Sequence, residues 1–181
     1  IDYSIYSSQT TVTEMIHKLP DAKDFLLSLT VNSVDETAIL AEKCSELLTG
    51  GEIILLWGPL GAGKTLFTQH ICKGLGITGE IVSPTFTIAN VYPGEKTIYH
   101  LDFYRLESTD ELVDVGFEAM LEDVENGNAI MLVEWPGPAL KWLDDRIEIL
   151  IQPGTEPDKR TIHLRGTSEL PDAWQQLFQE K

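Results

Sequence analysis

The stretch Gly58-Pro59-Leu60-Gly61-Ala62-Gly63-Lys64-Thr65 fits the phosphate-binding P-loop pattern G-x-x-x-x-G-K-[ST], and it decides the fold of this chain. The apolar run 53–57 directly before it predicts a buried strand, and residues 66–75 after it predict a helix. Because a P-loop joins a strand to a helix, both flanks support the motif. The stretch therefore predicts an α/β fold.

The residue types of this loop suit phosphate binding. Backbone N–H groups must turn inward around the phosphates, and the three glycines permit that conformation without steric cost. The start of the following helix adds partial positive charge. Lys64 is expected to reach the β- and γ-phosphates, and the Thr65 hydroxyl to hold Mg²⁺. The predicted nucleotide contacts in the loop are Gly58, Leu60, Gly61, Ala62, Gly63, Lys64, Thr65 and Leu66.

Composition and charge restrict the function. The chain has 181 residues, of which 43% are hydrophobic, enough for one α/β domain with a proper core. It has 13 basic and 29 acidic residues and a formal charge of −16, so it would repel nucleic acid and anionic membrane surfaces. Any RNA in its biology is therefore expected to be held by a partner. The absence of a long apolar run or a signal peptide, and two cysteines expected to be buried thiols (Cys44 and Cys72), favour a reducing cytoplasm.

The rest of the chain predicts alternating strands and helices around one sheet. Residues 1–24 are an extension of unknown role with a short helix at 11–19, and residues 25–181 form a single domain. Ser33 and Glu36 predict a capping box, in which Glu36 accepts a backbone N–H in return. The further predictions are strands at 25–31, 129–133, 146–151 and 160–164, a hairpin at 86–102, and helices at 108–125 and 168–180. Together they indicate a P-loop NTPase-like three-layer sandwich with a mixed or mainly parallel sheet flanked by helices.

Two carboxylates close predicted strands at the edge of the sheet where the P-loop lies. Glu134 follows the apolar run 129–133, as expected of an acid that holds Mg²⁺ directly or through water. Asp102 closes the preceding strand and competes for that role. Whichever carboxylate is not the metal ligand is available to orient the attacking water. The alternative for Asp102 is an ion pair with Arg105.

Two more side chains are candidates for the same site. Thr85 lies in a Ser-Pro-Thr turn after the P-loop helix, where a switch segment would sense the γ-phosphate; the alternative is a proline-set turn whose hydroxyls bond their own backbone. Trp135 follows Glu134 and is predicted to stack on the base, the alternative being a core position.

Four motifs in order give the chain a resemblance to a known family. They are the P-loop 58–65, Ser83-Pro84-Thr85-Phe86-Thr87, His100-Leu101-Asp102-Phe103-Tyr104-Arg105-Leu106 and Val133-Glu134-Trp135-Pro136. In this order they resemble the TsaE (YjeE) ATPases over about residues 27–165. The resemblance implies cytoplasmic, Mg²⁺-dependent ATP hydrolysis in support of the TsaB–TsaD complex, which makes N6-threonylcarbamoyladenosine (t6A) in tRNA.

The resemblance also implies roles for individual residues. Lys64 and Thr65 would bind phosphate and Mg²⁺, and Glu134 would be the second metal ligand. Asp102 would be catalytic together with Lys64 and Thr85, and Trp135 would lie near the adenine. The family commonly has an acidic or amide residue where Pro59 stands, so a side-chain contact of the loop is expected to be missing.

Three other functions are alternatives to the one that this resemblance implies. A small-molecule P-loop kinase usually needs several arginines to clamp the phosphoryl group, and the chain has only Arg105, Arg146, Arg160 and Arg165. A GTPase is expected to carry an Asn-Lys-x-Asp motif, which the sequence lacks. A nucleotide-dependent binding switch with little hydrolysis stays open, because no arginine finger is evident in the sequence.

Overall fold

A seven-stranded mixed sheet organises the protein. The computed structural model describes residues 11–179, so residues 1–10 of the predicted extension and Glu180 of the predicted last helix lie outside the described residues. The strands are β1 (Leu27–Val31), β2 (Ile53–Trp57), β3 (Ala89–Tyr92), β4 (Thr97–Asp102), β5 (Ala129–Glu134), β6 (Ile147–Pro153) and β7 (Arg160–Gly166). Their order across the sheet is β1-β7-β6-β2-β5-β4-β3.

The centre of the sheet is parallel and its edges are antiparallel. Strands β6, β2, β5 and β4 run parallel to one another, whereas β3 pairs antiparallel with β4, β7 with β6, and β1 with β7. Every residue of β2 and β5 is buried, as expected for apolar strands covered on both faces. Parallel β2, β4 and β5 end at the same edge, where the P-loop follows β2 and where Asp102 and Glu134 are the last residues of β4 and β5.

Helices cover both faces of the sheet and complete three layers. They are α1 (Val12–His17), α2 (Val34–Ser45), α3 (Lys64–Gly74), α4 (Glu111–Asp114), α5 (Phe117–Glu125) and α6 (Asp172–Leu177), with two 3-10 helices at Ala22–Asp24 and Gly137–Trp142. One core cluster joins the sheet to α2, α3 and α6, and a second joins it to α1, α4, α5 and the second 3-10 helix. The three-layer α/β fold expected from the sequence is thereby confirmed.

Two predicted helices differ in the structure. The helix expected over 108–125 is divided into α4 and α5 at Gly116, whose φ of +74° is not helical. The last helix begins only at Asp172 because Pro171 occupies the position before it in an extended conformation, and it ends at Leu177. The left-handed backbone of Gly116 and the extended backbone of Pro171 therefore override the helical periodicity of the sequence.

Two local predictions at the amino ends of elements also need correction. Ser33 accepts the N–H of Glu36, but the Glu36 carboxylate accepts the N–H of Asn32 at 2.8 Å and not that of Ser33. The hairpin begins at Ala89 and not at Phe86, because the N–H groups of Thr87 and Ile88 turn back to the Pro84 carbonyl.

The remaining observations concern thiols and membranes. Cys44 and Cys72 are free and fully buried, as predicted, and burial raises the pKa of both thiols, that of Cys72 to about 12. None of the helices within residues 11–179 combines the length and the apolar character needed to cross a membrane.

Candidate nucleotide-binding site

The P-loop leaves β2 in a conformation that requires glycine. Gly58 has a φ of +150°, and a Cβ there would lie 2.6 Å from the Ile151 carbonyl oxygen. Gly63 has a φ of +108° and directly precedes α3. Arg160 on β7 fixes the loop from outside, because its Nε donates to the Ala62 carbonyl at 3.0 Å. Sequence reasoning missed this contact, which spans almost a hundred residues.

Lys64 is folded back over the loop that carries it. Its Nζ donates to the carbonyl oxygens of Gly58 at 2.8 Å and Pro59 at 3.0 Å, and the side chain is nearly buried. Burial lowers the pKa of Lys64 to about 8, and the carboxylates of Glu134 and Asp102 offset part of that effect. A bound anion in the cleft would favour the charged form of Lys64.

Glu134 connects the P-loop helix to the central sheet. Its Oε2 accepts the Thr65 hydroxyl at 2.9 Å, and its Oε1 lies 2.9 Å from Nε2 of buried His100. The Nδ1 of His100 has no hydrogen-bond partner among the described residues. Sequence reasoning gave His100 no role. The available signal was its spacing, because residues two apart on a strand share a face and His100 precedes Asp102 by two.

Asp102 holds the Ser-Pro-Thr turn against the end of β4. Its Oδ2 accepts the hydroxyls of Thr85 at 2.7 Å and Ser83 at 3.0 Å, and its Oδ1 accepts the N–H of Tyr104 at 2.9 Å. Asp102 and Glu134 are also direct partners in the register of β4 and β5. The two predicted carboxylates thus lie side by side, and Thr85 contacts one of them.

The same turn contains a strained residue. Ile88 has a φ of +65°, which is rare for a β-branched side chain. Its N–H donates to the Pro84 carbonyl at 2.7 Å, and its own carbonyl accepts the N–H of Asp102 at 3.0 Å. These bonds hold the turn that carries Thr85 in one position relative to Asp102.

Trp135 lies beside Lys64. The Lys64 Nζ is 3.9 Å from the centroid of the Trp135 ring, and the Tyr104 ring packs at 4.9 Å on the same side chain. Trp135 is only 6% exposed and has a left-handed φ of +55°. Its predicted contact with adenine stays a prediction.

A cleft of about 580 Å³ opens over these groups, within the size range of small-molecule sites. It brings together these predicted site residues: Leu60, Gly61, Gly63, Lys64, Thr65, Leu66, Thr85, Asp102, Glu134 and Trp135. Ser83, Tyr104 and Arg105 line it as well. The other two predicted contacts, Gly58 and Ala62, do not line the cleft. Gly58 instead supplies a carbonyl to Lys64, and the Ala62 side chain is buried.

Several known proteins are similar to this chain. Residues 31–162 match the family model described as "Threonylcarbamoyl adenosine biosynthesis protein TsaE". The chain is 40% identical over 103 residues to tRNA threonylcarbamoyladenosine biosynthesis protein TsaE of Treponema pallidum (strain Nichols), a match covering 57% of this chain and 73% of the relative. It is 39% identical over 135 residues to the protein of the same name in Bacillus subtilis (strain 168), covering 74% and 80%.

A solved structure is also similar. The crystal structure of YdiB from Bacillus subtilis superposes with a TM-score of 0.64 at 29% sequence identity, covering 83% of this chain and 90% of that one. Matches to several other relatives span about three fifths of those proteins' length.

Proposed function

The chain belongs to the TsaE family, and from that premise we propose that it binds and hydrolyses ATP with Mg²⁺ in support of t6A formation in tRNA. The observation that carries the proposal is the 2.9 Å hydrogen bond between Thr65 and Glu134 next to the P-loop lysine. It unites the hydroxyl and the carboxylate that a P-loop enzyme uses around its metal ion.

The residues of the cleft fit Mg²⁺ and a triphosphate. Mg²⁺ prefers oxygen ligands and is usually held by one or two carboxylates together with substrate phosphates and waters. Thr65 and Glu134 supply a hydroxyl and a carboxylate oxygen of this kind. When bound, Mg²⁺ would neutralise negative charge on the phosphates.

Each protein group has a separate task in this proposal. Lys64 and the inward-facing N–H groups of the loop bind phosphate oxygens. Glu134 is the metal-side carboxylate, because it already contacts Thr65 and is oriented by His100. Asp102 is left to orient the attacking water, and Thr85 sets the direction of its Oδ2.

Trp135 belongs to the nucleotide site in the same proposal. Its ring lies 3.9 Å from the amine expected to bind the β- and γ-phosphates, which supports a position at the phosphate end of the nucleotide more than one at the adenine.

The charge of the chain bears on its partners. A net charge of −16 disfavours direct binding of tRNA, so we propose that tRNA is reached through the TsaB–TsaD complex in the cytoplasm.

ATP turnover by the purified protein, with and without TsaB–TsaD, tests the proposed ATPase function, with Lys64→Ala as the blank. Stimulation that disappears in the variant is expected. If the complex neither changes turnover nor binds in the presence of ATP, the proposed role in t6A formation is wrong.

The positions of the arginines favour a second candidate, a nucleotide-dependent binding switch with slow hydrolysis, over a kinase. Arg146 and Arg165 are paired with Glu148 away from the cleft, and Arg160 holds a loop carbonyl. Arg105 lines the cleft but stacks on the exposed ring of Phe86. Binding of the protein to TsaB–TsaD is measured once with a non-hydrolysable ATP analogue and once with ADP. A nucleotide-dependent switch binds the complex only with the analogue, whatever its rate of ATP turnover.

A further inference from the structure

Helix α1 lies outside the segment 31–162 that matches the family, yet it packs beside the nucleotide site. Ile16 is 3% exposed and belongs to the same core cluster as Trp135 and Ala139. The contact with the second 3-10 helix is backbone against backbone. A Cβ at Gly137 would overlap the Met15 carbonyl oxygen and lie 2.7 Å from the Met15 carbonyl carbon.

The end of α1 covers the aromatic side chain that touches the P-loop lysine. The ring of His17 makes edge contacts with Trp135, at 6.0 Å between centroids, and with Tyr104, at 5.8 Å. The Trp135 ring also contacts Tyr104 and the Lys64 Nζ. A continuous set of contacts therefore leads from α1 through Trp135 to Lys64.

Trp135 needs such support because its backbone is strained. A left-handed φ of +55° costs free energy for any residue with a Cβ, and such a conformation persists only when its surroundings enforce it. The surroundings here include α1, the second 3-10 helix that directly follows Pro136, and Tyr104.

We propose that α1 is a positioning element of the nucleotide site: it holds Trp135 in place, and Trp135 in turn orients Lys64 toward the phosphates. His17 and Ile16 are positioning residues that act through Trp135. The inference rests on the proposed function, in which Lys64 binds phosphate. It gives the amino-terminal segment, which lies outside the matched residues 31–162, a role in nucleotide affinity.

The sharpest variant is Gly137→Ala in the full chain. Gly137 has no left-handed φ, so alanine suits its own backbone, and the added methyl group acts by displacing α1. We expect Mg-ATP to bind roughly 5- to 10-fold more weakly, the size of one partly buried cation–π contact. Thr13→Ala, an exposed position on the same helix, is the matched control and leaves affinity unchanged.

Two further variants separate positioning from simple stability. His17 is exposed, so His17→Ala leaves the fold intact; we expect weaker binding than in the wild type, restored by His17→Phe, which keeps an aromatic ring. In a Trp135→Leu background, Gly137→Ala should have no additional effect on affinity, because the pathway through the ring is already lost.

Titration calorimetry measures the affinity for Mg-ATP under conditions in which all variants are folded, and it distinguishes the outcomes. If the wild type binds Mg-ATP and Gly137→Ala and His17→Ala bind equally well, α1 only stabilises the fold and the inference is wrong while the proposed function stands. Tighter binding by either variant also overturns it. If the wild type itself does not bind Mg-ATP, the proposed function fails and the inference fails with it.

Discussion

The Thr65 hydroxyl donates to the Glu134 carboxylate at 2.9 Å, and this bond joins the first turn of α3 to the last residue of β5. The two residues are 69 positions apart, so only the parallel pairing of β2 with β5 brings them together. The bond fixes the oxygen atoms that would face a metal ion.

Glu134→Gln tests the metal-side carboxylate. The amide keeps the volume of the side chain and can still face Thr65 and His100, but it has no negative charge to offer Mg²⁺. We expect ATP turnover to fall by about 10²-fold or more, a size typical of removing a preorganised electrostatic contact. Turnover is measured against Mg²⁺ concentration; an unchanged Mg²⁺ dependence and rate would contradict the assignment.

His100→Gln tests whether the buried histidine orients Glu134. Its Nε2 lies 2.9 Å from Glu134 Oε1, and outer contacts of this kind typically change metal affinity by about 10- to 100-fold. We expect Mg²⁺ to bind more weakly, which appears as a shift of the activation curve to higher Mg²⁺ concentration. His163→Gln is the matched control, because His163 lies on β7, where its Nε2 is 2.8 Å from Gln152 Oε1 and its ring contacts Phe25. Equal curves for the two variants would exclude an orienting role.

Thr85→Val tests the turn that faces Asp102. Valine has nearly the shape of threonine but removes the hydroxyl that donates to Asp102 at 2.7 Å. We expect turnover to fall by about tenfold while ADP affinity is retained, because the missing group would act on the attacking water and not on the bound diphosphate. Thr87→Val is the control, since Thr87 is exposed and its hydroxyl donates to Asn90 of β3 at 3.1 Å. A loss of equal size in the control would point to loop stability.

The central part of this site was predictable because local patterns specify it. The P-loop motif and two wholly apolar runs place Lys64, Thr65 and Glu134 at one edge of a parallel sheet, and the structure has β2 and β5 where these patterns predict them. Asp102 was predictable for the same reason, as the last residue of a neighbouring strand.

The remaining contacts depend on tertiary packing that no local pattern encodes. Arg160 reaches Ala62 only because β7 folds back beside β6, and Trp135 meets both Lys64 and His17 because α1 docks on the second 3-10 helix. The sequence does not show which arginines line the cleft and which lie in the interior. Arg146 and Arg165 lie away from the cleft because they pair with Glu148.

Glu148 is a charge buried in β6 that supports the strand leading to the P-loop. It is 0% exposed, and it accepts from Arg146 Nε at 2.9 Å, Arg165 Nη2 at 2.8 Å and Trp57 Nε1 at 2.9 Å. Trp57 directly precedes Gly58, so the carboxylate anchors the end of β2 where the phosphate-binding loop begins.

Glu148→Gln should therefore destabilise the whole domain. The amide removes the negative charge between two guanidinium groups, and breaking a buried ion pair from one side costs about 3–5 kcal/mol. Urea unfolding followed by circular dichroism measures the change. Glu156→Gln is the control, because its pair with Lys159 at 3.6 Å is largely exposed and should contribute at most about 1 kcal/mol. If the two variants unfold at the same urea concentration, Arg146 and Arg165 find other acceptors and the buried carboxylate does not anchor β2.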